Sequence, residues 1–276
     1  MITLDRELTA GAYGRAPFAV EHGVDRDPRL TLESLVGLAA EHPADLIEHN
    51  LGTVPVTLPG GAAPSLALDP EAVLREIADN GSWMVLKNVE RDPAYAALLD
   101  DLLDRVGAVL PGTEGTGLHR EAFVFVSAPG SVTPVHVDPE NNLLLQVRGT
   151  KAMHVGSFAD ADVRARELER FYGGAHRNLE QRPVDESTFA LEPGDGVYLP
   201  PDVPHWVQNG PEVSVSLSIT WRTRRSGRDG AVLAMNHRLR RRGVRPTPPG
   251  VSRVRDGAKV TAHRVLALPD RLRRGA

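Results

Sequence analysis

Alternation of apolar and polar positions is densest between Phe123 and Trp221. FVFVSAP (123–129), LLLQVRG (143–149), KAMHVG (151–156), TFALEPGDGVYLP (188–200) and VSVSLSITWRT (213–223) are short runs bounded by Gly or Pro, and they predict β-strands. Because neighbouring strand residues point to opposite faces, the last run sets Ser214, Ser216, Ser218 and Thr220 against Val215, Leu217, Ile219 and Trp221. Gly149-Thr150 is a hairpin signal that puts Lys151 on the face of Met153 and Val155, with His154 on the other.

Helical spacing takes over outside this region. TLESLVGLAAEH (31–42) has Thr31 as a cap, and Asp69-Pro70 opens a helix that Asn80-Gly81 stops. SWMVLKNV (82–89) predicts a strand, and a helix follows over 93–106. The stretch 157–184 predicts a charged helix and loop interrupting the strands, where Arg170, Tyr172, His176 and Arg177 are candidate substrate contacts. Residues 1–26 read as an irregular lead-in with an extended piece near Pro17 and Phe18, and 55–68 and 111–117 as loops. His42 and His49 read as surface or capping groups. LAMNHRLRRRG (233–243) predicts an amphipathic helix, and the remaining tail an extended or partly disordered end. The expected organisation is a helical and irregular region over 1–81, a β domain over 82–224, and a helix with an Arg-rich tail over 225–276.

Composition narrows the chemistry. With 41% of residues apolar, a sizeable core can form, and the absence of Cys excludes disulfides, thiolate metal ligands and a Cys nucleophile. No apolar run approaches the ~18 residues of a membrane span, and the first residues lack a secretory pattern. The expectation is a cytoplasmic protein with no membrane partner. The net charge of −4 conceals an asymmetry: from Arg222 onward there are 16 Lys or Arg against Asp229, Asp256 and Asp270, while the preceding 221 residues carry 16 basic and 33 acidic residues. Such a terminus is a candidate footprint for nucleic acid. The acidic remainder offers it a partner within the molecule or across a dimer, so a docked or solvated tail is the preferred reading.

The candidate chemistry lies in SVTPVHVDPENNLLLQVRGTKAMHV (131–155). His136 and Asp138, two apart in a β-rich run, share a face roughly 6–7 Å apart along the chain, so an imidazole and a carboxylate converge on one ion. His205, in PGDGVYLPPDVPHWVQNG, is the candidate third ligand of a two-His, one-carboxylate set. The run TP-x-H-x-D, then Asn142, Gln146, Gly149 and Lys151, then PGD-x-x-Y-x-P and a distal His, resembles the JmjC-like or cupin-like Fe(II)- and 2-oxoglutarate-dependent oxygenases, on the asparaginyl-hydroxylase branch. The resemblance spans about Phe123 to Trp221.

The resemblance implies a mainly β fold with flanking helices and a double-stranded β-helix (jelly-roll or cupin) core. It implies Fe(II) at His136, Asp138 and His205, with Thr133 and Lys151 on the far carboxylate of 2-oxoglutarate and Asn142 beside that cosubstrate. A further tyrosine or asparagine common in the family has no clear counterpart here. Ser218 or Thr220 can take its place, and the choice stays open. The implied activity is hydroxylation of a protein, peptide or small molecule, with homodimerisation through the C-terminal helix. Two other readings remain: a metal-dependent cupin enzyme that does not use 2-oxoglutarate, and a non-catalytic cupin-like binding or regulatory protein.

Overall fold

The computed structural model describes residues 2–58, 64, 69–110 and 115–274, with side chains of the last helix described as far as residue 267. Much of the loop expected at 55–68, and the part of the loop expected at 111–117 that precedes Gly115, lie outside the described residues. Twelve described strands run β1 (Ile2–Thr3), β2 (Phe18–His22), β3 (Ile47–Leu51), β4 (Ser82–Lys87), β5 (Leu118–Ser127), β6 (Val132–His136), β7 (Asn141–Arg148), β8 (Lys151–Ser157), β9 (Val184–Leu191), β10 (Asp195–Leu199), β11 (His205–Asn209) and β12 (Ser214–Arg222). The helices are α1 (Arg6–Ala12), α2 (Leu32–Glu41), α3 (Pro70–Arg75), α4 (Pro93–Gly107), α5 (Ala161–Tyr172), α6 (Arg224–Arg240) and α7 (Arg253–Arg274).

The strands form an eight-stranded sheet, β1-β2-β10-β7-β12-β5-β4-β3, and a four-stranded sheet, β6-β11-β8-β9. From β5 to β12 the chain passes repeatedly between the two sheets, and every pairing is antiparallel. That is the expected double-stranded β-helix, with β1 to β4 extending its larger sheet.

Backbone contacts group the chain into two units, Met1–Ser157 with Asn178–Arg222, and Phe158–Arg177 with Thr223–Ala276. In the first, the outward face of the larger sheet supplies Val124, Val126, Leu143, Leu145, Val215, Leu217, Ile219 and Trp221 to a core that includes Leu35 of α2 and Leu99, Leu102 and Leu103 of α4. A smaller cluster joins the sheets face to face, with Leu144, Val197 and Leu199 from one and Met153, Val155, Leu191 and Val207 from the other. The serines of β12 are therefore buried between the sheets, opposite the apolar face, as the alternation requires.

Local chemistry starts the helices where the sequence indicates. Thr31 Oγ1 accepts from Ser34 N–H, and the Asp69 and Asp92 carboxylates accept from the first turns of α3 and α4, each followed by Pro at the first helical position. The lead-in is more ordered than expected. Asp5 caps α1, and Tyr13 stacks near Trp221 with ring centroids 6.5 Å apart. The third strand was also not expected: IEHNL pairs along β4, from Ile47 opposite Leu86 to Leu51 opposite Ser82.

In the second unit α5 precedes α6 and α7, and the tail expected to be extended is instead the 22-residue helix α7. Buried Glu169 receives two bonds from Arg240, at 2.5 and 3.0 Å. Other tail arginines pair at 3.8 Å (Arg225 with Asp229) and 3.7 Å (Arg245 with Asp162). Among the described residues no helix is long and apolar enough to cross a membrane.

Candidate metal centre

Strand register brings the two histidines together. His205, the first residue of β11, pairs directly with His136, the last of β6, and on its other side with Val155 of β8. Asp138 lies two residues beyond the end of β6, so the strand expected to carry both ligands stops at the first. Its Oδ2 is 3.6 Å from His136 Nε2 and 3.5 Å from His205 Nε2. Both histidines are buried, and donor atoms of all three residues lie within 4.8 Å of one another.

The imidazoles are turned by their own backbone. His136 Nδ1 is 2.8 Å from Pro134 O, and His205 Nδ1 is 2.9 Å from Val203 O. A carbonyl only accepts, so each Nδ1 donates to it, which leaves Nε2 as the ring atom turned toward Asp138. The 3.5–3.6 Å separations exceed hydrogen-bond length. Two imidazole Nε2 atoms and a carboxylate facing one another suit a shared divalent cation, and this donor set is that of non-haem Fe(II) sites.

A β-bulge decides where Thr133 points. His205 and Val207 are two apart on β11, but their partners on β6, His136 and Thr133, are three apart. Simple alternation would put Thr133 opposite His136; the extra residue returns both to one face. Val207 in turn pairs with Met153. On that face Lys151, Met153 and Val155 alternate as buried positions while His154 faces away, stacked on Trp206 with centroids 3.8 Å apart.

Lys151 is 6% exposed and makes no side-chain hydrogen bond or ion pair among the described residues. Burial alone pushes its ammonium down to about 7. It begins β8 after Gly149, which sits at φ +64°, where an added Cβ would stand 2.6 Å from the Val213 carbonyl oxygen. Only glycine fits that turn without displacing backbone.

On the facing sheet Asn142 is 8% exposed, and Ser218 Oγ donates to its Oδ1 at 2.8 Å. Thr220 is turned instead to the Glu121 carbonyl, at 3.4 Å. The pair Asn142–Ser218 therefore forms one hydrogen-bonded unit. Gln146 is fully buried: its amide donates to Arg148 O, Gly149 O and Ser214 Oγ at 2.6, 2.9 and 3.0 Å and accepts from Ser216 Oγ at 2.8 Å.

Three neighbours of the triad have no sequence signal. Arg222 Nε donates to Glu140 at 3.1 Å, with a second bond from Nη2. Burial, then the nearby Asp138 carboxylate, pushes Glu140 up to about 7. Asn178 bridges to His136, and Leu179 N–H donates to Val135 O at 2.9 Å. Asp202 N–H donates to Asp138 O at 2.8 Å. The expected contact Arg170 is engaged by Glu167 at 2.8 Å within its own helix.

Residues 114–227, which carry all three ligand candidates, match the family model of the JmjC domain. Over that stretch the chain is similar to JmjC domains. It is 33% identical over 99 residues to Jumonji C domain-containing protein 5 of Drosophila melanogaster, an alignment covering 32% of this chain and 24% of that protein, so it spans about a quarter of that relative's length. The X-ray structure of YcfD from Escherichia coli superposes with a TM-score of 0.53 at 17% identity, covering 97% of this chain and 68% of that one. A second structure of that protein, there named a ribosomal oxygenase, gives 0.52 at 16%, with the same coverage. At that identity the likeness is one of fold, and it includes the residues that match the JmjC model.

Proposed function

We propose that the chain is an Fe(II)- and 2-oxoglutarate-dependent oxygenase that hydroxylates a protein, peptide or small molecule. His136, Asp138 and His205 hold the metal through Nε2, a carboxylate oxygen and Nε2. When bound, Fe(II) with 2-oxoglutarate supplies oxygen activation coupled to oxidative decarboxylation, giving succinate, carbon dioxide and oxidation of a substrate C–H bond. The protein binds and orients the reactants and keeps water out.

The observation that carries this reading beyond a bare metal site is Lys151, buried with no counter-charge among the described residues on the inward face of β8. A lone buried ammonium is costly unless an anion meets it. Lys151 starts the strand whose Val155 pairs with His205, four residues or about 13 Å along the backbone. A lysine side chain and a five-carbon diacid together would span that distance, so Lys151 Nζ would meet one carboxylate of the diacid while its other end lay toward His136, Asp138 and His205. Thr133, brought to the same face by the bulge, donates a hydroxyl, while Asn142, oriented by Ser218, flanks the diacid from the facing sheet. YcfD is named a ribosomal oxygenase; the substrate class proposed here is broader.

The test is anaerobic titration of 2-oxoglutarate into Fe(II)-loaded parent and Lys151→Ala protein. A charge-assisted bond of roughly 1.5–3 kcal/mol, at about 1.4 kcal/mol per decade, corresponds to roughly ten- to a hundredfold weaker binding in the variant, with metal affinity nearly unchanged. No binding by the parent would favour a metal-dependent cupin that does not use 2-oxoglutarate.

A further inference from the structure

Three consecutive residues of the loop between β10 and β11 each commit a main-chain group to the metal centre or the strand beside it. Asp202 N–H donates to Asp138 O at 2.8 Å, Val203 O accepts from His205 Nδ1 at 2.9 Å, and Pro204 O accepts from Gly156 N–H of β8 at 3.0 Å. The first bond differs in kind from the others. His136 and His205 are fixed by ladder pairing, but Asp138 stands past the end of its strand, where no ladder holds it. Asp202 holds it from a distant point in the sequence.

Asp202 does so at φ +66°. Glycine, asparagine and aspartate tolerate this left-handed region, alanine less readily, and a β-branched residue hardly at all. Pro200, Pro201 and Pro204 restrict the backbone around it. The N–H of Asp202 is thus aimed by a stiff loop before any cation is present, and preorganising a ligand reduces the ordering cost of binding.

We propose that Asp202 is a positioning residue whose left-handed backbone holds Asp138 beside the two imidazoles, setting the three donors for one divalent cation. This rests on the metal-site reading above. A role of the loop in folding alone would lower apo stability without altering metal affinity, so the two are separable.

The experiment is Co(II) titration of the full chain, followed by visible absorption, for the parent and Asp202→Gly, Asp202→Ala and Asp202→Val, with apo thermal unfolding measured alongside. Asp202→Gly keeps both the N–H and the backbone conformation and should bind Co(II) as the parent does. Asp202→Val should bind roughly 10- to 100-fold more weakly with an altered Co(II) spectrum, and Asp202→Ala should fall between. If Asp202→Val does not fold, the Asp202→Ala and Asp202→Gly pair decides. Parental affinity in every folded Ala or Val variant overturns the inference, as does a loss in Asp202→Gly matching that of the Ala or Val variant, which would assign the effect to the side chain. A parent that binds no Co(II) overturns the metal-site reading and this inference with it.

Discussion

His136 and His205 are direct cross-strand partners whose ring centroids lie 4.2 Å apart, tilted by 55°, with both Nε2 atoms toward one oxygen of Asp138. Each ring is held by a backbone carbonyl, and the Asp138 backbone is held by Asp202 N–H. Asp138→Ala should leave the fold largely intact, since Asp138 lies beyond the end of β6, yet abolish stoichiometric metal binding. Metal analysis after reconstitution and desalting checks this. Full occupancy in both Asp138→Ala and His205→Ala would put the metal elsewhere.

If Lys151 meets the cosubstrate as proposed, it couples stability to ligand binding. Its folded value of about 7 lies below the 10.5 of an exposed lysine, so burial destabilises the ligand-free fold in full below pH 7, and the cost fades as pH rises toward 10.5. Lys151→Met should therefore raise the ligand-free melting temperature at pH 8, by an amount equivalent to roughly 3 kcal/mol, and remove the stabilisation that 2-oxoglutarate gives the parent. In the parent, 2-oxoglutarate binding above pH 7 should take up a proton and weaken as pH rises. Calorimetry in two buffers of different ionisation enthalpy reads that proton directly; no buffer dependence at pH 8 would contradict the assignment.

The two hydroxyls of β12 are expected to separate. Ser218 holds Asn142, whereas Thr220 meets a backbone carbonyl. Ser218→Ala should weaken 2-oxoglutarate binding several-fold, on the order of one lost hydrogen bond, while Thr220→Ser should leave it unchanged. The comparison is made by titration at fixed metal; equal affinity in the parent and both variants would remove Ser218 from the cosubstrate site.

Gln146 ties the β7–β8 hairpin to β12 through Ser214 and Ser216. Gln146→Ala leaves those hydroxyls and two carbonyls without their partner and opens a buried void. It should cost roughly 2–4 kcal/mol in urea unfolding. Because Gly149 and Lys151 follow directly, the same variant should weaken 2-oxoglutarate binding more than metal binding.

The parts of the fold legible in the sequence are those where local chemistry and burial agree. Ser214 to Trp221 alternates because one face packs under the helices and the other lies between the sheets. Asp92-Pro93 starts α4 because a carboxylate and a fixed φ both favour it. The strand IEHNL was hidden because Glu48, His49 and Asn50 are poor strand formers, and its pairing with β4 is a long-range fact. Helix α7 was hidden by a highly charged sequence containing Gly257 and Pro269. Within the candidate site, the motif and the family resemblance singled out His136, Asp138, His205 and Lys151. The bulge that turns Thr133 inward is a mismatch between two distant strands, and the Asp202 tether is a main-chain contact, so neither leaves a residue pattern to read.

The central claim is most directly tested by succinate formation from 2-oxoglutarate in air with added Fe(II), for the parent and His136→Ala. The parent should release succinate slowly, in an oxygen- and iron-dependent way, even without the true substrate, and the variant none above background. Parent protein that binds iron and 2-oxoglutarate yet releases no succinate when supplied with oxygen and a panel of candidate peptides and small molecules, or a variant that matches the parent, would contradict it.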